Sequence, residues 1–187
     1  QIFSVPDADP ILLVHGSPTN LRELMYKGAD NTKKYMEEMT VKYILCGHTH
    51  EQFVFEHAGK RLINPGSIGV AIGRRSHAHY AIIEWIDGEW EYELKEIPYD
   101  FSRVCKTFYN SDLLLKAGAW PDCIMKSIDT GINYGPLCAK MAYDFAIANG
   151  INVNDEGIPE EFWQIAKQKL GVKEYNPNLR SQRAIPN

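Results

Sequence analysis

The chain has 187 residues, 44% of them hydrophobic and 24% charged, with a formal net charge of −4. That is one ordinary soluble domain, or one with an appendage, large enough to bury a real core. No run of Lys or Arg exceeds two residues, which argues against a nucleic-acid-binding surface. No apolar stretch approaches a membrane span and no signal-peptide pattern opens the chain. Cys46, Cys105, Cys123 and Cys138 form no C-x-x-C pair and there is no Asn-x-Ser/Thr sequon; a reduced cytoplasmic protein with free, mostly buried thiols is expected.

In chain order, "QIFSVPDADPILLVHG" runs almost at once into a strand and has no N-terminal cap or leader of its own. We therefore expect a C-terminal portion of something longer. "ILLVHG" (11–16) is an apolar run closed by glycine, a buried strand. "SPTNLRELMYKG" (17–28) and "DNTKKYMEEM" (30–39) have helical spacing, with Asp30 as the expected N-cap of the second. "KYILCG" (42–47) is a second buried strand. "QFVFEHAGKRLINPGS" (52–67) reads as two strands joined around Ala58-Gly59. "HYAIIEWIDGEWEYELKEI" (79–97) is a hairpin turning at Asp87-Gly88, a dipeptide suited to positive φ. After "IPYDF" the character becomes helical. Met141, Phe145 and Ala148 are placed on one buried face of a helix ending at Gly150. A last helix opens at Pro159, carries Phe162, Ile165 and Leu170, and stops at Gly171. From Val172 an irregular arm is expected. The division is residues 1–104, strand-rich, and 105–187, a helical extension and tail.

The chemistry concentrates at "LLVHGSP" and "YILCGHTHEQF". In a strand or its extended exit, residues i and i+2 point the same way, so His48 and His50 reach one place. Gly47 before them is read as the residue that lets the backbone leave the strand in a conformation other residues resist. Neutral imidazole is a common ligand for zinc, manganese and iron. One H-x-H pair is more often a surface feature, and a lone strand-end histidine such as His15 more often a satisfied one. Two buried strands each delivering histidine from the end is a site geometry.

The series His15-Gly16, Gly47-His48-Thr49-His50 and Asn64-Pro65-Gly66-Ser67-Ile68-Gly69 resembles the calcineurin-like metallophosphoesterase superfamily, in its small bacterial form. Arg74-Arg75, Tyr80-Ala81-Ile82-Ile83 and Pro98-Tyr99-Asp100 continue the likeness over about residues 8 to 118. It implies an α/β fold, a metallophosphoesterase-type β-sandwich flanked by helices, of which this chain supplies the second half. It also implies two divalent metal ions (Mn, Fe, Zn or Ni), His15 and His48 on one and His50 on the other. The family's D-x-H, G-D and G-N-H motifs have no counterpart here. The bridging aspartate, the asparagine ligand and the proton-donating histidine are therefore expected in a missing N-terminal half, and this chain alone is expected to be inactive.

Arg74 and Arg75 fall where relatives carry an arginine near the site and are candidate substrate-binding residues, with a solvated loop pair as the equal alternative. Asn64 reads first as part of a structural turn. His77, His79 and His57 read as exposed strand-edge residues, and Cys46 as buried packing. The function so implied is metal-dependent hydrolysis of phosphomonoester or phosphodiester bonds in a phosphorylated small molecule, nucleotide or phosphoprotein. The alternatives are a catalytically inactive scaffold of the same fold and a simple His-rich metal-binding module.

Overall fold

The computed structural model describes residues 1–111 and 117–174. They divide into two compact units, one of residues 1–73 and 77–98, the other of 74–76 and the residues from Tyr99 onward. The expected boundary after residue 104 falls inside a helix; the strand-rich unit closes at Pro98.

The first unit is built on a five-stranded sheet in the order β1-β2-β3-β5-β4. Its strands are β1 (Ile2–Phe3), β2 (Ile11–Leu13), β3 (Tyr43–Leu45), β4 (Gln52–His57) and β5 (Lys60–Pro65). β2, β3 and β5 run parallel, and β1 and β4 are antiparallel to their neighbours at the two edges. A second sheet is the hairpin of β6 (His77–Ile86) and β7 (Glu89–Pro98). It turns at Asp87 (φ 51°) and Gly88 (φ 87°), both left-handed as the Asp-Gly dipeptide predicts.

Strand alternation sends the two sets of side chains to opposite faces. Ile11, Tyr43, Leu13 and Leu45 pack with Trp90, Ile83 and Trp85 of the hairpin. Leu12, Val14, Ile44, Cys46 and Leu62 pack with Met25, Tyr35 and Met36. Tyr35 and Met36 come from α1 (Asp30–Glu38), so the central strands are covered by a sheet on one face and by a helix on the other. That is why they read as continuous apolar runs.

Two local expectations fail. Residues 17–28 form turns and no helix: the segment is tied by Ser17–Asn20 hydrogen bonds, which compete with a helical ladder. Asp30 is the first helical residue; Ala29 occupies the N-cap and supplies no side-chain bond.

In the second unit, α2 (Phe101–Asn110) starts at Asp100, whose carboxylate accepts from the Ser102 and Arg103 amides. α3 (Trp120–Thr130), α4 (Tyr134–Ala148), the short α5 (Val153–Glu156) and α6 (Glu160–Lys169) follow. The buried face of α4 is Cys138, Ala142 and Ala146, packed on Phe162, Ala166 and Cys123, with Met141 and Phe145 flanking it. Ala148 lies outside, contrary to expectation, because it falls two residues beyond Ala146 and so on the far side of the helix from the Cys138, Ala142 and Ala146 row. Ile165 is likewise exposed while Ala166 is buried. All four cysteines are free and buried. The irregular arm expected after Val172 lies almost wholly outside the described residues. No helix among the described residues is long and apolar enough to cross a membrane.

Candidate metal centre

The parallel strands β2 and β3 end side by side. The ladder continues past them, with the Gly47 amide donating to the His15 carbonyl at 2.9 Å. That pairing sets the His15 and His48 rings against each other, their centroids 4.8 Å apart and tilted by 50°. Gly16 is there for space. A Cβ on it would lie 2.6–2.8 Å from the carbonyl oxygens of Leu21, Glu23 and Asn20, so the 20–23 loop folds directly over it.

The His48-Thr49-His50 segment is a bend and not an extended exit. His48 (φ 66°) and His50 (φ 62°) are both left-handed, while Gly47 is not. The glycine rationale is therefore corrected: the histidines carry the unusual backbone, and Gly47 only lies in ordinary contact with His15. Non-glycine residues in this region cost on the order of 1–2 kcal/mol each, and they persist where surrounding structure over-determines them.

The fastening is Asn64. It is fully buried, and its Nδ2 donates to the Gly47 carbonyl at 3.0 Å and to Thr49 Oγ1 at 2.9 Å. Its Oδ1 accepts from the Gly66 amide at 2.9 Å, which forms the Pro-Gly turn. Thr49 is itself buried and accepts from the Glu51 amide. The Asn-Pro-Gly-Ser segment therefore does more than turn the chain; it holds the histidine bend in place. That role was not legible, because Asn64 and Thr49 are fifteen residues apart.

The ring hydrogen bonds orient the donors. His50 Nδ1 lies 3.1 Å from the Val70 carbonyl; only an N–H can bond there, so Nε2 keeps its lone pair. His48 Nε2 lies 3.2 Å from the Arg22 carbonyl, which leaves Nδ1 as its lone-pair nitrogen. Binding one ring nitrogen to a carbonyl and offering the other is how ligating histidines are oriented. The 67–72 loop is secured around His50 by Val70 N to Ser67 Oγ and Ile72 N to the His50 carbonyl. Burial pulls His50 below its ordinary value; the bond to Val70 opposes this, and the His48 and His15 rings add to it. The ring is thus kept neutral, the state a metal requires.

Beside His15 a cavity of about 440 Å³ is lined by Leu13, Val14, Ser17, Pro18 and Asn20 among others. The donor set fits a metal only in part. The three imidazoles suit a transition ion in type, and His48 and His50 also in tautomer. Yet the described residues contain no group of three or more His, Cys, Asp or Glu side chains arranged to hold one, and no carboxylate joins the histidines. Cys46 is no substitute, since burial pushes its thiol up to about 12.

Arg75 pairs with Asp129 at 2.8 Å within the second unit. The Arg74 backbone packs against Gly131 in the same unit. His79 is buried, not an exposed strand-edge residue. It lies 3.7 Å from Glu96 and against Gly66, whose added Cβ would come within 2.7 Å of it. His77 is half-buried. His57 meets Glu37 at 2.7 Å and stacks on Phe55.

Residues 1–88 match the calcineurin-like phosphoesterase superfamily domain. The match takes in 88 of the 187 residues, and it is this part of the chain that is similar to that superfamily. Two solved structures share its fold. One is a hypothetical protein of Pyrococcus horikoshii OT3, with 18% identity and TM-score 0.56, covering 70% of this chain and 50% of that one. The other is a metallophosphoesterase from Sphaerobacter thermophilus, with 20% identity and TM-score 0.53, covering 70% of this chain and 59% of that one. The chain thus spans between half and three fifths of these structures. No curated protein matches it in sequence.

Proposed function

We propose that the protein acts in metal-dependent phosphoester hydrolysis, with His15, His48 and His50 as the imidazole ligands of a divalent metal centre. The observation that carries this reading is the pair of oriented rings, His48 held by the Arg22 carbonyl and His50 by the Val70 carbonyl, beside His15. Two neighbouring divalent ions, when bound, supply an activated water and a clamp on the phosphoryl oxygens. The chain's own contribution is to present lone-pair nitrogens from a bend that Asn64 and Thr49 hold in place. His15 and His48 are assigned to one ion, of Mn, Fe, Zn or Ni type, and His50 to a second. Substrates of this reading are phosphomonoesters or phosphodiesters, and Arg74 and Arg75 are carried as candidate phosphate contacts of the second unit.

The test, made in the full-length protein, is Zn²⁺ uptake by equilibrium dialysis together with hydrolysis of an aryl phosphate. His50→Ala lowers metal content and abolishes turnover, while His77→Ala leaves both near wild type. Full metal content and most activity in His50→Ala would refute the assignment. One observation favours a second reading, a catalytically inactive scaffold: no group of three metal-binding side chains exists among the described residues. Wild-type protein that takes up no metal and hydrolyses no phosphoester would select it.

A further inference from the structure

The loop from Ser17 to Glu23 has no role in the reading above beyond lending a carbonyl. It is held in place: the Ser17 amide donates to the Asn20 carbonyl at 3.0 Å and the Asn20 amide to Ser17 Oγ at 3.0 Å. The Arg22 amide donates to Asn20 Oδ1 at 2.9 Å. The same residue's carbonyl accepts from His48 Nε2 at 3.2 Å, so the backbone of Arg22 is pinned at the rim of the histidine cluster. Its side chain is exposed and forms no ion pair among the described residues. Apart from Lys27, the other cationic side chains of this unit are held by a carboxylate or a carbonyl oxygen. An exposed guanidinium with no ion pair among the described residues, on a residue whose carbonyl is bonded to one of the site's rings, is suited to receive an anion. Its planar fork matches two oxygens of one phosphoryl group, which an ammonium does not.

We infer that Arg22 binds the phosphoryl group of the substrate at the histidine site. This rests on reading the site as a phosphoesterase centre, but it assigns the contact to a residue within the histidine-bearing unit. The reach is short, since the residue that carries the guanidinium is hydrogen-bonded to one of the site's own rings. A positive charge here also raises the local concentration of an anionic substrate.

The experiment uses the intact protein and inorganic phosphate as the probe, titrated with and without added Zn²⁺ and read by calorimetry. Zn²⁺ uptake is measured separately. Arg22→Ala is expected to weaken phosphate binding about tenfold without changing Zn²⁺ uptake or the thermal midpoint, since the backbone carbonyl that holds His48 is retained. Arg22→Lys recovers part of the loss, and Lys27→Ala changes phosphate affinity less than twofold. Wild-type phosphate affinity in Arg22→Ala, equal losses in Lys27→Ala and Arg22→Ala, or no phosphate binding by the wild type would each overturn the proposal. The metal reading fails on a different signal, Zn²⁺ uptake that is absent or unaffected by His48→Ala. In that case a phosphate loss confined to Arg22→Ala still assigns Arg22 an anion site.

Discussion

Asn64 Nδ2 donates to Thr49 Oγ1 at 2.9 Å and to the Gly47 carbonyl at 3.0 Å, so one buried amide grips both residues that flank His48. The two histidines on either side of Thr49 adopt left-handed backbone, a conformation that local sequence disfavours. The bend therefore exists because β5 delivers Asn64 beneath it.

Replacing Asn64 by Ala removes its bonds to the Gly47 carbonyl, Thr49 Oγ1 and the Gly66 amide, although the carbonyl keeps the Thr49 amide and the hydroxyl keeps the Glu51 amide. Loss of three bonds at a buried side chain should cost about 2–3 kcal/mol in urea unfolding. Thr49→Ala removes only the hydroxyl contact and should cost about 1 kcal/mol. A double-mutant cycle should show coupling above roughly 0.5 kcal/mol, as expected of groups in contact. Additive effects would mean that the two residues act independently.

The two glycines beside the histidines should respond differently to Ala. Gly16→Ala forces a methyl within 2.6–2.8 Å of three backbone oxygens, which cannot yield without moving the 20–23 loop. Destabilisation of about 1–3 kcal/mol is expected, together with weakened Zn²⁺ uptake as the Arg22–His48 bond is lost. Gly47→Ala places its methyl 3.5 Å from the His15 carbonyl at a backbone φ that is not left-handed, and should be tolerated. Comparing thermal midpoints of the two variants decides the matter.

Stability should fall on the acid side in a manner that depends on His50. Burial, with the Val70 bond opposing and the His48 and His15 rings assisting, depresses its folded-state value below the ordinary 6.5. Between the depressed value and 6.5 the unfolded chain binds more protons than the native one, so stability rises with pH across that window. Its contribution is complete above the unfolded value and is lost as pH falls through the folded one. Urea unfolding measured from about pH 5 to 8 should show a shallower acid slope in His50→Gln than in wild type. An unchanged slope would show that His50 is not held neutral.

The Arg75–Asp129 pair is half exposed on the arginine side. Arg75→Ala should therefore cost no more than about 1 kcal/mol. If Arg74 or Arg75 contacts substrate phosphate, its Ala variant raises KM for an aryl phosphate with metal content unchanged. Wild-type kinetics in both single variants and in the double variant return the pair to a structural role.

The sequence alone determined the elements that local chemistry controls. The apolar runs at Ile11–Leu13 and Tyr43–Leu45 could only be strands covered on both faces. Asp87-Gly88 could hardly be anything but a tight hairpin turn. The His15 and Gly-His-Thr-His motifs brought three histidines to neighbouring strand ends. Periodicity misled where tertiary packing or local side-chain bonding chose otherwise. Residues 17–28 have helical spacing, yet Ser17 and Asn20 bond one another and the loop folds over Gly16. Ala142 and Ala146, not Ala148, face the core of α4 because they share one i, i+4 row with Cys138, which packing on Phe162 and Ala166 selects.

What only the tertiary structure decided is how the histidines are presented. The left-handed φ of His48 and His50, the tautomer that each adopts against the carbonyls of Arg22 and Val70, and the role of Asn64 all depend on groups 15 to 26 residues distant. No spacing rule encodes such contacts, since they are set by which loops the sheet order brings to the ends of β2 and β3. Local propensity places a histidine at a strand end. Long-range hydrogen bonds fix its backbone and choose which nitrogen it offers.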